Sequence, residues 1–572
     1  MSSNLGKNAR IVLISPQVLG PRNQVRKAQP PLGISYLAAV LEEGGYQNNV
    51  MCLDAVVEGY DNVVELNDGT GFIKYGLSDE KIVERLEAFK PDLVGITSLF
   101  SSMTECAFSI AEAVHHRFPD LPIVMGGNHA SHTAESILND VSCVDYVIKG
   151  ESEYAFLEFV DKFFTGQSID DVPGLVRRAD GQLKTNPTKP FNILLDKLPD
   201  PAFHLFPMER YFEIAMPHNP FVKSGRVGSI MTSRGCPEHC YFCTSPTYTG
   251  TTFRSMSPER VAQQVERMVA EHGIKELQIL DDNFTVNAPR VVGICERIKH
   301  LGLRITLPNA IRADMPNNRA KRLDMYKHMR EAGCEQFGIS VEHGDQEFLN
   351  QVTKKRLDLD EVMATCDLAH EAGLLVHANF MIGFPFETAE LRKKTRDFAL
   401  NLDADSYSVS ITQPLPGTPI WDLVKDNNLF MPHFKVTRMT YVNVNIIPHD
   451  ISPEDLKKEA EDLNRLLNET GQARRKATQD KYKAFRDSGK SASGDRKYHF
   501  SAEAVPDAEV HWTPGIGEEA EYTNRHTPRS RNRTRNRAPQ RSLRLLGSRA
   551  MGPPVGGLRH DASSAPPFRV HL

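Results

Sequence analysis

The sequence predicts an α/β protein: a doubly wound, Rossmann-like N-terminal domain, then a partial (β/α)6 barrel, a helical C-terminal extension and a disordered tail. Three observations predict it. Short β-branched runs alternate with amphipathic stretches from Arg10 to about Phe164, a second alternating block starts near Ser229, and the proline-rich "DKLPDPAFHLFP" separates the two. Such alternation makes parallel sheets covered by helices, and proline clusters punctuate domains. At 572 residues the chain also exceeds what one hydrophobic core organises. The expected boundaries are 1–165 for the first domain, 166–222 for a linker, 223–425 for the barrel, 426–487 for the extension and 488–572 for the tail.

In the first block the strands read "RIVLIS", "NVMCLDAV", "DLVGITSL", "PIVMGG" and "DYVIKG", with "ISYLAAVLEEGGY", "DEKIVERLEAF" and "CAFSIAEAVHHRF" as helices between them. Ligands of such sheets sit at the strand C-terminal ends, which here carry small or polar residues. A polar strand-turn stretch, "VRRADGQLKTNP", opens the linker. The barrel strands read "SIMTS", "ELQILDD", "RITLPNA", "QFGISVE", "LVHANFMIG" and "SYSVSIT". Helices such as "SPERVAQQVERMVAEHG" and "DLDEVMATCDLAHEAG" open on serine or aspartate caps and close on glycine. Their chemistry belongs at the strand C-terminal ends. After Phe485 the pattern dissolves into an arginine-rich stretch, "RHTPRSRNRTRNRAPQRSLR", read as a solvated tail in preference to a nucleic-acid arm.

A hydrophobic content of 40%, a charged content of 25% and a net charge of -5 make no electrostatic case for nucleic acid or membrane. No apolar run approaches the roughly 20 residues of a membrane span, and the N-terminal apolar stretch is too short for a secretory signal. The expected location is cytoplasmic. Cys52, Cys106, Cys143, Cys295, Cys334 and Cys366 are scattered singly, which argues against a disulfide framework and fits packing in a reducing compartment.

Cys236, Cys240 and Cys243 stand apart, three of nine cysteines in "RGCPEHCYFC" directly after the first barrel strand. Structural zinc wants four ligands, and no second CxxC or HxxxH lies nearby. A four-iron cluster held by three thiolates leaves one iron without a protein ligand. The triplet resembles the CxxxCxxC signature of the radical S-adenosylmethionine (SAM) superfamily, and the likeness extends from about Ser229 to Pro419. It implies a 4Fe-4S cluster on Cys236, Cys240 and Cys243 and SAM on its open iron. By the same resemblance Phe242 packs against adenine, and Asp281 and Asp282 supply the carboxylate for the SAM amino group. Ser340 and Glu342 serve ribose and carboxylate, while Gly383, Pro385 and Gln413 lie near adenine.

A doubly wound domain before such a barrel resembles the cobalamin-binding subclass, with "PPLGISYLAAVLEEGGY", "DLVGITSLFSS", "IVMGGNHAS" and "YVIKGESE" as its landmarks. The resemblance implies that Thr97, Ser98, Gly126, Gly127, Gly150 and Glu151 hold the corrin. His129 reaches the corrin edge or its nucleotide tail, or only hydrogen-bonds locally. No DxHxxG motif is present, so no histidine ligand to cobalt is expected. The runs "DDNFTV" and "PNAIRAD" resemble methylases of fosfomycin, bialaphos and aminoglycoside biosynthesis. That implies a methylcobalamin-dependent methyltransferase acting on an unactivated carbon or a phosphinate phosphorus of a small polar antibiotic intermediate. Flavodoxin or ferredoxin would serve as electron donor, and Arg312 and His377 are candidates to face a phosphorus anion. Ring closure or oxidation without methyl transfer is the alternative reading, and a zinc- or cobalamin-binding sensor a further one.

Overall fold

In the computed structural model, residues 5–188, 193–219 and 222–487 are described, and the arginine-rich tail expected beyond them lies outside the described residues. The first sheet contains parallel strands β1 (Ile11–Ser15), β2 (Val50–Asp54), β3 (Leu93–Thr97), β4 (Ile123–Gly126) and β5 (Tyr146–Ile148). They lie in the order β2-β1-β3-β4-β5. The order reverses between β1 and β3, the point at which sheets of this kind take ligands at their carboxyl ends. Both faces are covered by helices, so β1 reads as an unbroken buried run.

The stretch expected to open the linker instead extends this sheet. Strands β6 (Leu175–Ala179) and β7 (Gln182–Thr185) add antiparallel beyond β5, with Val176 opposite Val147. Asp180 and Gly181, with φ of 50° and 75°, make the two-residue turn that joins them.

The second sheet contains β8 (Val227–Ile230), β9 (Glu276–Ile279), β10 (Arg304–Ile311), β11 (Cys334–Glu342), β12 (Leu375–Ile382) and β13 (Ser406–Ile411). They pair in sequence order and all parallel, open between β8 and β13, as the partial barrel requires. Ser257, Asn287, Asn318, Asp358 and Thr388 each cap the start of a connecting helix through a side-chain oxygen.

In β12 the odd residues His377, Asn379 and Met381 are half-buried and the even ones fully buried, so the even face meets helices and the odd face meets the lumen. That lumen is polar. Ser406 Oγ lies 2.8 Å from His377 Nδ1 and accepts from Gln336 at 3.3 Å, while Ser408 donates to Asn379 at 2.5 Å. At the amino ends of the strands, Glu276, Arg304, Glu335 and Lys223 form a linked set of ion pairs. Chemistry is therefore left to the carboxyl end.

Candidate active site

The cysteine loop is fixed at both ends by the paired carboxylates that follow β9. Asp281 is buried and accepts from Thr232 N–H (2.5 Å), Thr232 Oγ1 (2.6 Å) and Ser233 Oγ (2.5 Å). Burial pushes its carboxyl up, and the hydrogen bonds from Ser233 and Thr232 pull it partly back. Its oxygens are thus committed to the exit of β8. Asp282 accepts from Ser245 at 3.2 Å and Thr249 at 3.0 Å, holding the far side of the loop. Gly235 adopts φ of 84°, and a Cβ there would lie 2.3 Å from the Thr252 carbonyl.

Between these anchors Cys236, Cys240 and Cys243 are all half-buried. Burial pushes the Cys236 thiol up to about 11 and Cys240 to about 12; the Lys355 ammonium draws Cys240 back down. The Ser245 N–H points at Cys243 Sγ, 3.4 Å away. Among the described residues no three His, Cys, Asp or Glu side chains converge as the ligands of one ion.

Around the loop stand the other barrel candidates. Glu342 ends β11 beyond a register shift, at φ of 71°, and makes a buried ion pair with Lys355 at 2.9 Å. Ser340 lies half-buried two residues earlier. Gly383 has φ of 80° and donates its N–H to Glu387 at 2.5 Å. Phe242 packs edge-on against Phe384, with 6.2 Å between centroids, joining the cysteine loop to the turn that precedes Pro385. Gln413 is buried, donates to the Ile411 and Asn443 carbonyls and accepts from Asn445, so it anchors the C-terminal extension.

Neither residue proposed to face a phosphorus anion presents a spare charge. Arg312 is paired with Glu238 (2.8 Å) and Asp314 (2.6 Å) and donates to the Lys355 and Arg356 carbonyls. Burial lowers His377 to about 4, which keeps it neutral.

At the strand ends of the first sheet, Thr97 and buried Ser98 face the Gly126-Gly127 turn. Ser98 N–H donates to the Gly126 carbonyl at 2.7 Å, and Gly127 has φ of 102°. A Cβ on Gly127 would lie 2.8 Å from Ser98 O and 2.9 Å from Thr97 Oγ1. His129 bonds locally, its Nδ1 lying 2.9 Å from Ser101 Oγ, and burial lowers it to about 4. Gly150 N–H donates to Ser131.

Glu151 is turned elsewhere. It forms a bidentate pair with half-buried Arg254 at 2.8 and 2.5 Å, and Glu153 meets Arg234 at 2.5 Å, both buried. Sequence reasoning missed Arg234, Arg254, Glu153 and Lys355. Opposite charges in "KGESE", "TSRG" and "TFRS" were the only signal, and nothing in the sequence pairs them.

Besides these ion pairs, the turn after β4 meets the cysteine loop through two hydrogen-bonding contacts. Asn128 Nδ2 donates to Thr244 Oγ1 at 3.0 Å, one residue past Cys243, and His132 Nε2 lies 2.8 Å from Thr247 Oγ1. Among the described residues, the buried Asn128 Oδ1 has no hydrogen-bond partner. An orphaned acceptor beside a glycine cradle fits a large polar ligand at the first sheet, and three thiols with an N–H aimed at sulfur fit a cluster at the second.

Residues 22–160 match the B12 binding domain and residues 230–399 the Radical SAM superfamily. An uncharacterised methyltransferase of Pyrococcus horikoshii is 31% identical over 424 residues, covering 74% of this chain and 84% of the relative. Cytidylyl-2-hydroxyethylphosphonate methyltransferase of Streptomyces wedmorensis is 30% identical over 487 residues, covering 80% and 90%. The solved structure of the radical SAM methyltransferase TsrM from Kitasatospora setae, with cobalamin and a 4Fe-4S cluster, matches the fold at a TM-score of 0.57 and 19% identity, covering 73% of this chain and 75% of that one. With the cysteine triplet at the rim of an open barrel and a doubly wound domain hydrogen-bonded to it, the chain belongs to the cobalamin-dependent radical SAM methyltransferases, whose cofactors are a 4Fe-4S cluster, SAM and cobalamin.

Proposed function

We propose that the chain methylates an unactivated carbon, or a phosphinate phosphorus, of a small polar intermediate of phosphonate- or phosphinate-type antibiotic biosynthesis. The observation that carries the reading is the contact of Asn128 and His132 with Thr244 and Thr247, which joins the Gly126-Gly127 turn to the loop of Cys236, Cys240 and Cys243. When bound, the cluster and SAM supply the hydrogen-abstracting radical and cobalamin the methyl carrier. The remaining work is positional. Cys236, Cys240 and Cys243 hold the cluster, and Lys355 beside Cys240 favours the thiolate form that ligation needs. Gly127 lets the ends of β3 and β4 close on each other, while Gly126 and Gly150, where a Cβ would meet nothing nearer than 3.5 Å, leave the backbone bare enough for a corrin to approach.

Gln336, His377, Asn379, Ser406 and Ser408 line a lumen of neutral hydrogen-bonding groups, which suits a polar substrate better than a lipid. The phosphonate class is carried over from the Streptomyces wedmorensis relative. SAM bearing a deuterated methyl group tests it. Incubated with cytidylylated hydroxyethylphosphonate, and with phosphinate and aminoglycoside candidates, the reconstituted enzyme should yield a product heavier by one labelled methyl group. Formation of 5'-deoxyadenosine with an unlabelled, altered product would assign ring closure or oxidation instead.

A further inference from the structure

The loop after the short helix Gln346–Gln351, which follows β11, reads Thr353-Lys354-Lys355-Arg356 and packs against the cysteine loop. Tyr241, the residue after Cys240, donates its N–H to the Thr353 carbonyl at 2.9 Å, and Lys354 Nζ stands 5.8 Å from the Tyr241 ring centroid. The three cations do not face one way. Lys355 is buried against Glu342, whereas Arg356 is exposed and Lys354 half-buried. Among the described residues, neither Lys354 nor Arg356 makes an ion pair.

Both have left-handed backbones, with φ of 54° and 52°. Glycine holds that conformation without a steric cost, and a side chain with a Cβ does not. A loop built only to turn would use glycine at those positions, so two cations there ask for a reason beyond the turn. Arg312 fixes the loop by donating to the Lys355 and Arg356 carbonyls at 2.6 and 2.7 Å. Beside Lys354 stand exposed Tyr241 (39%) and, two residues earlier in the chain, Val352 (37%). Of the neighbouring acids Glu238 is paired with Arg312, while Asp358 caps the next helix through the N–H groups of Asp360 and Glu361. The result is a rigid cationic and aromatic surface one residue from Cys240. The contact with the first domain is made by Thr244 and Thr247 at the other end of the same loop.

We infer that this surface docks an acidic one-electron carrier protein that reduces the cluster, an inference that rests on the cluster assignment to Cys236, Cys240 and Cys243. With a net charge of -5 the chain as a whole repels an acidic partner, so attraction must come from local cations. Each encounter passes one electron from the reduced carrier to the cluster. No bond or proton changes.

The test pairs Lys354→Glu with Arg356→Glu, and separately Lys354→Gln with Arg356→Gln, in the full chain. Two readouts are used: binding of flavodoxin at low ionic strength, and 5'-deoxyadenosine formation by holoenzyme driven by reduced flavodoxin or by dithionite. The charge-reversed protein should bind flavodoxin about tenfold more weakly and lose about tenfold in flavodoxin-driven rate, with the Gln variant between it and wild type. Dithionite-driven cleavage should be unchanged, and the difference should shrink at about 0.5 M salt. Unaltered flavodoxin affinity would overturn the inference, as would an equal loss with dithionite, which would assign the cations to support of the cluster loop. Failure of wild type to cleave SAM with dithionite would overturn the cluster assignment beneath it.

Discussion

A buried carboxyl takes its role from what faces it, and three aspartates show the range. Asp281 and Asp282 are held by hydroxyls and an N–H at the cysteine loop. Asp54 ends β2 and accepts from Tyr211 Oη at 2.6 Å and Val56 N–H at 3.1 Å. Burial nevertheless pushes it up to about 7. Because the folded value exceeds the unfolded one of about 4, the folded chain keeps a proton there that the unfolded chain has lost. The stability this confers is full below about pH 4 and is lost as pH rises to about 7, by up to about 1.4 kcal/mol per pH unit. Asp54→Asn keeps an acceptor for the Val56 N–H, turns an NH2 toward Tyr211 Oη, which can accept in place of donating, and removes the titration. Its thermal-unfolding midpoint should vary less between pH 5 and 7 than that of wild type and lie above wild type at pH 8. Matching pH profiles for the two proteins would show that Asp54 titrates as an ordinary carboxyl.

Among the elements, β13 carries the unpaired edge of the open barrel, a position that invites pairing with another chain. The C-terminal helix, Pro453–Asp487, covers it with side chains that imitate a strand. Asn464 accepts from Val409 N–H at 2.7 Å and donates to its carbonyl at 2.8 Å; Asn468 does the same for Tyr407 at 3.0 Å each way. Replacing both asparagines with alanine should cost about 2–4 kcal/mol. Amide exchange at Tyr407 and Val409 should quicken while the amides of β11 keep their protection. Unchanged exchange at those two amides would mean that the helix shields the edge by packing alone. None of this pairing was legible in the sequence, where Asn464 and Asn468 read as polar positions of an exposed helix. What could be read was local: apolar runs of parallel strands, caps such as Ser257 and Asp358, and the cysteine spacing. The turn at Asp180-Gly181 announced a hairpin but not which sheet would take it, because register depends on Val147, some thirty positions earlier. The protein partners of Glu151 and Gln413 were illegible for the same reason, since Arg254 and Asn445 lie far along the chain.

At the scale of the molecule, the two sheets are joined by the ion pairs of Glu151 with Arg254 and Glu153 with Arg234, by the Asn128 and His132 contacts, and by Arg438 of the extension reaching Glu105 at 2.6 Å. SAM cleavage needs only the barrel, whereas methyl transfer needs both sets of strand ends held in register. Gly417 separates the two requirements. It lies against His132, and a Cβ built on it would stand 1.9 Å from His132 Cδ2 and 2.7 Å from Nε2. Gly417→Ala should therefore push the Gly126–His132 turn away from the cysteine loop. Methyl transfer should fall at least about tenfold and 5'-deoxyadenosine formation by no more than about twofold, since a displacement of about 1 Å is enough to cost that much in positioning. Because Gly417 also has φ of 81°, alanine carries a backbone cost of about 1 kcal/mol whatever it touches. Adding His132→Ala isolates the contact. The double variant should recover much of the transfer lost in Gly417→Ala, giving a coupling of about 1–2 kcal/mol between the two positions. No recovery, or an equal fall in SAM cleavage, would trace the defect to strain in the Leu415–Thr418 turn and leave the contact between the sheets without a part in methyl transfer.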